Sequence, residues 1–343
     1  MELVFDFGNA RGKWFVPRRR VFGDFLHAIA ELRESEWNKI VGRGKPPEGI
    51  VKINGVPFAI GNAARRHVIK ERPKGAARYR DTYYGIGLAY SLAEGIRRND
   101  VAVTLMASHA PIDAQYARNL VAAAKHTWNV ECRYGTFEFV VKRVGVFDEP
   151  LGGFANYVFN TDGTDRKKNP LKDITTLVLD VGGYTVDVAA IDSGGAIDQM
   201  SLNSTRTGIL DLLSGFESDL RSNNATLFQD AGDLDIRRVE NAILTGEYRM
   251  GRMVVDCRAE AEASMNTLVN DVIQVINAAG GIANFDAILV TGGGAALIYD
   301  WLVNAMPRID FILSEPNRDY MMYSNVFGGA KLSAMSRKAM ESR

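Results

Sequence analysis

Leu3-Val4-Phe5-Asp6-Phe7-Gly8 and Leu177-Val178-Leu179-Asp180-Val181-Gly182-Gly183 stand about half a chain apart and are built alike. In each, an apolar run delivers one aspartate to a glycine turn. Such a run reads as a buried strand, and a carboxylate at its end is costly unless it is paired or faces a cation. A third cluster, Thr291-Gly292-Gly293-Gly294, closes another apolar run, Ala287-Ile288-Leu289-Val290. Two acidic strand-turns and a glycine-rich strand end predict a nucleotide clamped between two similar domains.

The first turn runs Asp6-Phe7-Gly8-Asn9-Ala10-Arg11-Gly12-Lys13. Backbone N–H groups of a tight glycine turn can face phosphate oxygens that a Cβ would crowd. Lys13, at the return of the hairpin, supplies positive charge to the same phosphates. Asp6 is a candidate ligand for Mg²⁺ through water, because that ion keeps much of its hydration shell. The plainer reading is a β-hairpin with a turn aspartate. The second turn, Asp180 to Asp187, is more demanding: Gly182, Gly183, Tyr184 and Thr185 sit between two aspartates. Packing gives no reason for Asp180 at the end of so apolar a strand, so a functional role is favoured over a solvated loop residue. At Gly292-Gly293-Gly294 a helix starts close to any ligand, and its N-terminus favours phosphate. No Gly-Lys-Ser/Thr follows, so this is not a Walker A loop, and no βαβ unit follows to make it a Rossmann fingerprint.

Around these turns the pattern is mixed. Lys13 to Val16 reads as a strand, Phe22 to Trp37 as a helix with Phe25, Leu26, Ile29 and Leu32 on one face, and Asn54-Gly55 as a hairpin turn. Tyr84 to Arg97 and Pro111 to His126 read as helices flanking a buried strand, Val101 to Ala107, and Val130 to Phe147 as a hairpin. In the second half, Thr175 to Asp180, Tyr184 to Asp192 and Ala196 to Asn203 are three successive strands. Helices are expected over Thr207–Arg221, Asp235–Leu244, Asp256–Ala279, Ala295–Asn304 and Ser324–Lys338, with a strand at Phe285–Thr291. Both halves run strands, helix, strand, helix, which argues for two α/β domains with mixed sheets.

Composition excludes several classes. The 343 residues suit about two domains, and 41 basic against 41 acidic residues leave no global field for nucleic acid or membrane. Apolar runs are too short to span a bilayer, and no signal-peptide pattern opens the chain. Cys132 and Cys257 alone cannot form a disulfide framework and suit a reducing cytoplasm. The four histidines show no metal-ligand spacing. Seven basic residues (Arg65, Arg66, Lys70, Arg72, Lys74, Arg78 and Arg80) lie near Tyr79, Tyr83 and Tyr84. A solvated face or a subunit contact is favoured over a nucleic-acid patch.

Taken in order, the three glycine segments resemble the two phosphate loops and the adenosine loop of the actin–Hsp70–sugar kinase ATPase superfamily. Within it the chain is most similar to actin-like proteins of the plasmid-segregation, ParM-like type. Val56 to Ala64, Val144 to Gly153 and Ser204-Thr205-Arg206-Thr207-Gly208 add to that narrower match. The resemblance implies two duplicated actin-like (ribonuclease H-like) domains with mixed sheets flanking a nucleotide cleft. One would comprise residues 1–155 with about 318–343, the other 156–317. It implies ATP or ADP with Mg²⁺ as cofactors, and Gly8, Asn9, Lys13, Gly182, Gly183, Tyr184, Thr185, Gly208 and Gly292–Gly294 at the nucleotide. Asp6 and Asp180 would serve the metal, with Asp180 also catalytic. Glu149 would orient the attacking water, with Asp148 beside it as the alternative carboxylate. It further implies a cytoplasmic ATPase that assembles with itself into filaments and moves DNA through an adaptor protein, without binding DNA or membrane directly.

The chain departs from the family pattern at Ala10-Arg11-Gly12, where another glycine and a hydroxyl are usual; Arg11 either touches phosphate or points to solvent. The family's proline-containing segment is matched only loosely by Ser108 to Pro111. Two rival readings are a small-molecule kinase of the same superfamily and a nucleotide-switched membrane-associated scaffold. Lys331 to Arg343 is too poor in bulky apolar residues for a convincing amphipathic anchor.

Overall fold

The computed structural model describes every residue except 9, 67–81, 98, 108–113, 230, 231, 233 and 343. The chain forms two units, Met1–Pro170 with Tyr323–Arg343, and Leu171–Met322. The segment 159–170 packs on the first unit's own helices. The Arg166 guanidinium donates to the carbonyls of Asn156 and Phe159, and Asp162 pairs with Lys338.

In the first unit the strands are β1 (Glu2–Phe7), β2 (Arg11–Val16), β3 (Val21–Leu26), β4 (Ile29–Glu31), β5 (Ile50–Ile53), β6 (Val56–Ile60), β7 (Asp100–Ala107), β8 (Thr127–Cys132) and β9 (Gly135–Asp148). They make one sheet in the order β3-β2-β1-β7-β9-β8-β5-β6-β4. The helices are α1 (Glu34–Val41), α2 (Thr82–Gly95), α3 (Ala114–Ala124), α4 (Glu149–Val158) and the chain-terminal Ser324–Glu341. Leu3, Phe5 and Phe7 alternate with Val4 and Asp6, and all five are buried because the sheet is covered on both faces. On one face Phe5 and Phe7 meet the Tyr84 ring of α2 edge-on at 5.7 and 5.2 Å, a favourable aromatic geometry.

The second unit contains β10 (Thr176–Val181), β11 (Val186–Ile191), β12 (Ile197–Thr205), a hairpin of β13 (Glu247–Met250) and β14 (Met253–Asp256), β15 (Ala287–Thr291) and β16 (Asp310–Leu313). Its main sheet is ordered β12-β11-β10-β15-β16. Helices α5 (Ile209–Asn223), α6 (Ala225–Phe228), α7 (Ile236–Thr245), α8 (Arg258–Ala278) and α9 (Ala295–Ala305) complete it, and the terminal helix of the first unit becomes α10. Phe216 of α5 and Met265, Leu268 and Val272 of α8 share one core with Leu177, Leu179, Ile288 and Val290.

The two sheets repeat one topology. In each, an antiparallel three-strand meander is followed by a strand parallel to its first member, and then by another parallel to that. Register repeats as well: Asp6 lies opposite Lys13 and beside Met106, and Asp180 lies opposite Asp187 and beside Thr291. The duplicated α/β architecture expected from sequence is therefore present.

One expected element is different. Residues 22–37 form β3, β4 and the start of α1 rather than a helix. The apolar spacing suits either period, and pairing decides: β3 completes the open edge of β2 along its whole length. Gly23 makes that pairing close, for a Cβ there would stand 2.6 Å from the Trp14 ring. The expected helices at Tyr84–Arg97 and Ser324–Lys338 are present within a few residues. The Asn54-Gly55 hairpin turn is present too, with φ of 48° and 84°. The strands β13, β14 and β16 were not expected. The basic stretch 67–80 and residues 108–111 lie outside the described residues, as does Asn9.

Both cysteines are buried and free of disulfide. Burial pushes both thiols up, Cys257 to about 11. The thiolate is the reactive form, so neither should react with an aromatic disulfide reagent at pH 8 within minutes, while both react in denaturant. Rapid labelling of the native chain would contradict the buried placement.

Candidate functional site

In the first unit the site begins at the end of β1. Asp6 is 1% exposed, and the ammonium of Lys13 donates to its Oδ2 at 2.8 Å. Its other oxygen, Oδ1, is buried and has no hydrogen-bond partner among the described residues. A buried carboxylate oxygen normally finds a donor or a cation, so Asp6 is built to take one more positive or N–H/O–H group. Gly8 begins the turn; a Cβ there would stand 2.9 Å from the Arg11 carbonyl, which is why the turn closes this tightly.

Glu149 reaches the same end of the same sheet. Asp6, Met106 and Phe147 form one row across β1, β7 and β9, so the ends of β1 and β9 lie about 10 Å apart, two strand spacings. Asp148 ends β9 in extended conformation as the N-cap, and Glu149 is the first residue of α4, buried with Pro150 behind it. An acid in the first turn suits the helix dipole, and Pro at that place forfeits no helical hydrogen bond. Parallel strands place ligand sites beyond their carboxyl ends, where Asp6 and Glu149 both stand.

The second unit brings three distant segments together. The turn from Asp180 closes with the Gly182 N–H donating to the Thr185 carbonyl at 2.8 Å. The start of α5 sits on that turn: Leu210 N–H donates to the Gly183 carbonyl at 2.7 Å. At Gly208 a Cβ would lie 2.6 Å from the Gly183 carbonyl and the Tyr184 nitrogen, so only glycine allows this approach. The start of α9 closes the other side, with Gly294 N–H donating to the Val181 carbonyl at 2.9 Å. Gly292 has φ of 92°, and a Cβ there would lie 2.2 Å from Oδ1 of Asp180. Thus Asp180, Gly182, Gly183, Tyr184, Thr185, Gly208 and Gly292–Gly294 form one surface, onto which two helix N-termini open. That is an arrangement suited to anions.

Sequence reasoning assigned no role to Asp187. It occupies the register position of Lys13, opposite Asp180, and it accepts from the Thr185 hydroxyl at 3.1 Å. Cross-strand partners share a face of the hairpin. The first unit's turn therefore carries a carboxylate and an ammonium where the second carries two buried carboxylates. The signal was present as the same seven-residue offset in both turns. Among the described residues no three His, Cys, Asp or Glu side chains cluster as a metal site, and no helix is long and apolar enough to cross a membrane.

No family model matches this chain, and no curated protein matches it. Solved structures match over nearly the whole length. An archaeal actin homologue in complex with ADP is 16% identical, with a TM-score of 0.75 over 97% of this chain and 99% of that one. A ParM solved as a 15-stranded filament from Clostridium botulinum is 14% identical, with a TM-score of 0.73 over 97% and 99%. Bacillus thuringiensis ParM with ATP is 15% identical, with a TM-score of 0.71 over 98% of both. At such identities the likeness is one of fold, and the fold is that of ParM-like actin homologues.

Proposed function

We propose that this chain binds and hydrolyses ATP and polymerises into filaments, with plasmid or DNA segregation through an adaptor protein as its cellular use. The observation that carries the reading is the matched pair of acidic hairpin turns at one register in two duplicated sheets, one of them holding a buried carboxylate oxygen without a partner among the described residues. The ADP, ATP and filament structures of the similar folds support it.

In this reading the N–H groups of the turns beyond Gly8 and Gly182 face phosphate oxygens, and Lys13 balances their charge. The starts of α5 and α9, at Gly208 and Gly292–Gly294, receive the ribose and adenine. Mg²⁺ carried with the nucleotide would be held through water by Asp6 and Asp180, neutralising phosphate charge; Oδ1 of Asp6, which has no hydrogen-bond partner among the described residues, fits that use. Glu149 orients the water for in-line attack, and Asp180 assists its placement. Positioning of this kind supplies most of what phosphoryl transfer asks of a protein.

Sedimentation coupled to phosphate release tests the reading. ATP should drive the chain into the pellet, with turnover indifferent to candidate sugars. Sugar-stimulated ADP release without pelleting would make it a small-molecule kinase instead. A strict requirement for lipid in liposome flotation would favour the membrane-associated scaffold.

A further inference from the structure

Arg11 stands where the chain departs from the familiar turn pattern, and its surroundings are unusually well built. Along β2 the partly exposed residues are Arg11, Lys13 and Phe15, while Gly12, Trp14 and Val16 are buried. Arg11 therefore shares a face with Lys13, one step nearer the turn. Across β1, β2 and β3, Asp6, Lys13 and Asp24 form a single row. The ammonium of Lys13 turns to Asp6, and the two oxygens of Asp24 are used otherwise. Oδ2 accepts from the guanidinium of Arg11, and Oδ1 accepts from the Tyr323 hydroxyl at 2.7 Å.

The far end of this chain of contacts is anchored. The Tyr323 ring lies 4.7 Å from that of Phe22, and Phe327 closes the cluster from α10. Burial, and then the hydrogen bond to Asp24, push the Tyr323 phenol far above its ordinary value, so it remains a donor at every physiological pH. An exposed Arg–Asp pair is normally worth little and needs no such backing. Here the carboxylate is fixed from behind by a buried tyrosine, while the arginine side chain keeps 39% of its surface exposed. A guanidinium has five N–H donors in a rigid fork, and its bond to Asp24 leaves others to meet the paired oxygens of a phosphate.

We propose that Arg11 is a second phosphate-recognising cation of the first turn, and that Asp24, anchored by Tyr323, is the positioning residue that presents its guanidinium beside Lys13. This rests on the nucleotide reading above and adds to it a residue and its support. The same anchor ties the turn to Tyr323, the residue at which the chain re-enters the first unit.

The test is a titration of the full-length chain with Mg-ATP in the parent and in Arg11→Ala, Asp24→Asn and Tyr323→Phe, each checked by thermal melting. Arg11→Ala should weaken ATP about tenfold, as expected for loss of a charged hydrogen bond, and Arg11→Lys should restore only part of it. Asp24→Asn and Tyr323→Phe should each weaken ATP about threefold, yet change it less than twofold in an Arg11→Ala background. A merely structural role would give equal losses in both backgrounds, and that result overturns the proposal. Unchanged ATP affinity in Arg11→Ala overturns it too, while leaving the nucleotide reading intact. A parent chain that binds no ATP would remove the nucleotide reading itself.

Discussion

Glu149→Ala is expected to bind Mg-ATP as the parent chain does and to release phosphate about a hundredfold to a thousandfold more slowly. The expectation follows from its place rather than its identity alone. Glu149 ends the connection out of β9 and begins α4, is 8% exposed, and stands at the same sheet end as Asp6. Its backbone is held by the start of α4 rather than by a loop, and on the proposed reading its carboxylate would orient a water from there. On the proposed reading, removing the carboxylate would take away orientation of the attacking water while leaving the groups assigned to the phosphates in place. Filaments formed by the variant should persist longer, because hydrolysis is the step expected to weaken them. Asp148→Ala, altering the half-buried N-cap next door, should slow release by less than about tenfold. Unchanged release in Glu149→Ala, or the larger loss in Asp148→Ala, would move the role to another residue.

Gly328→Ala is expected to destabilise the chain by about 3 kcal/mol, although glycine to alanine inside a helix ordinarily stabilises by roughly 1 kcal/mol. The reversal comes from helix packing. A Cβ at Gly328 would stand 1.7 Å from the carbonyl oxygen of Gly152 and 2.8 Å from the nitrogen of Asn156. These are backbone atoms of α4, so no rotamer change relieves the contact and the two helices must separate. Separation also pulls on a buried polar network, in which Lys331 of α10 donates to Asn156 Oδ1 at 2.9 Å and Asn156 donates to Ser324 at 3.2 Å. Because Glu149 lies one helical turn before Gly152, the variant should lose phosphate release as well as stability, with every site side chain intact. Denaturant unfolding and phosphate release on the same sample check both parts. Unaltered stability would mean that α4 and α10 do not approach this closely.

What was legible in the sequence was what short-range pattern specifies. The hairpins at Asp6–Lys13 and Asp180–Asp187 announce themselves by apolar runs flanking glycine turns, and Asn54-Gly55 by the positive φ that both residues tolerate. Phe22 to Trp37 misled because Phe25, Leu26, Ile29 and Leu32 fit a helical face, whereas the edge of β2 and the Trp14 ring over Gly23 made strands of the first half. The four residues of β16 are too few to show a period, but pairing with β15 makes them a strand. In the site, Gly208 and Gly292 were marked as glycines near a ligand, while their contacts with Gly183 and Asp180 depend on the folded sheet. Asp24 was invisible for the same reason: its tyrosine partner is 299 residues away.

Electron microscopy of the purified chain, with Mg-ATP and without nucleotide, tests the central claim most directly. The account predicts filaments with ATP and dispersed protein without it. Dispersed protein under both conditions, at concentrations where ATP is shown to be bound, would contradict it.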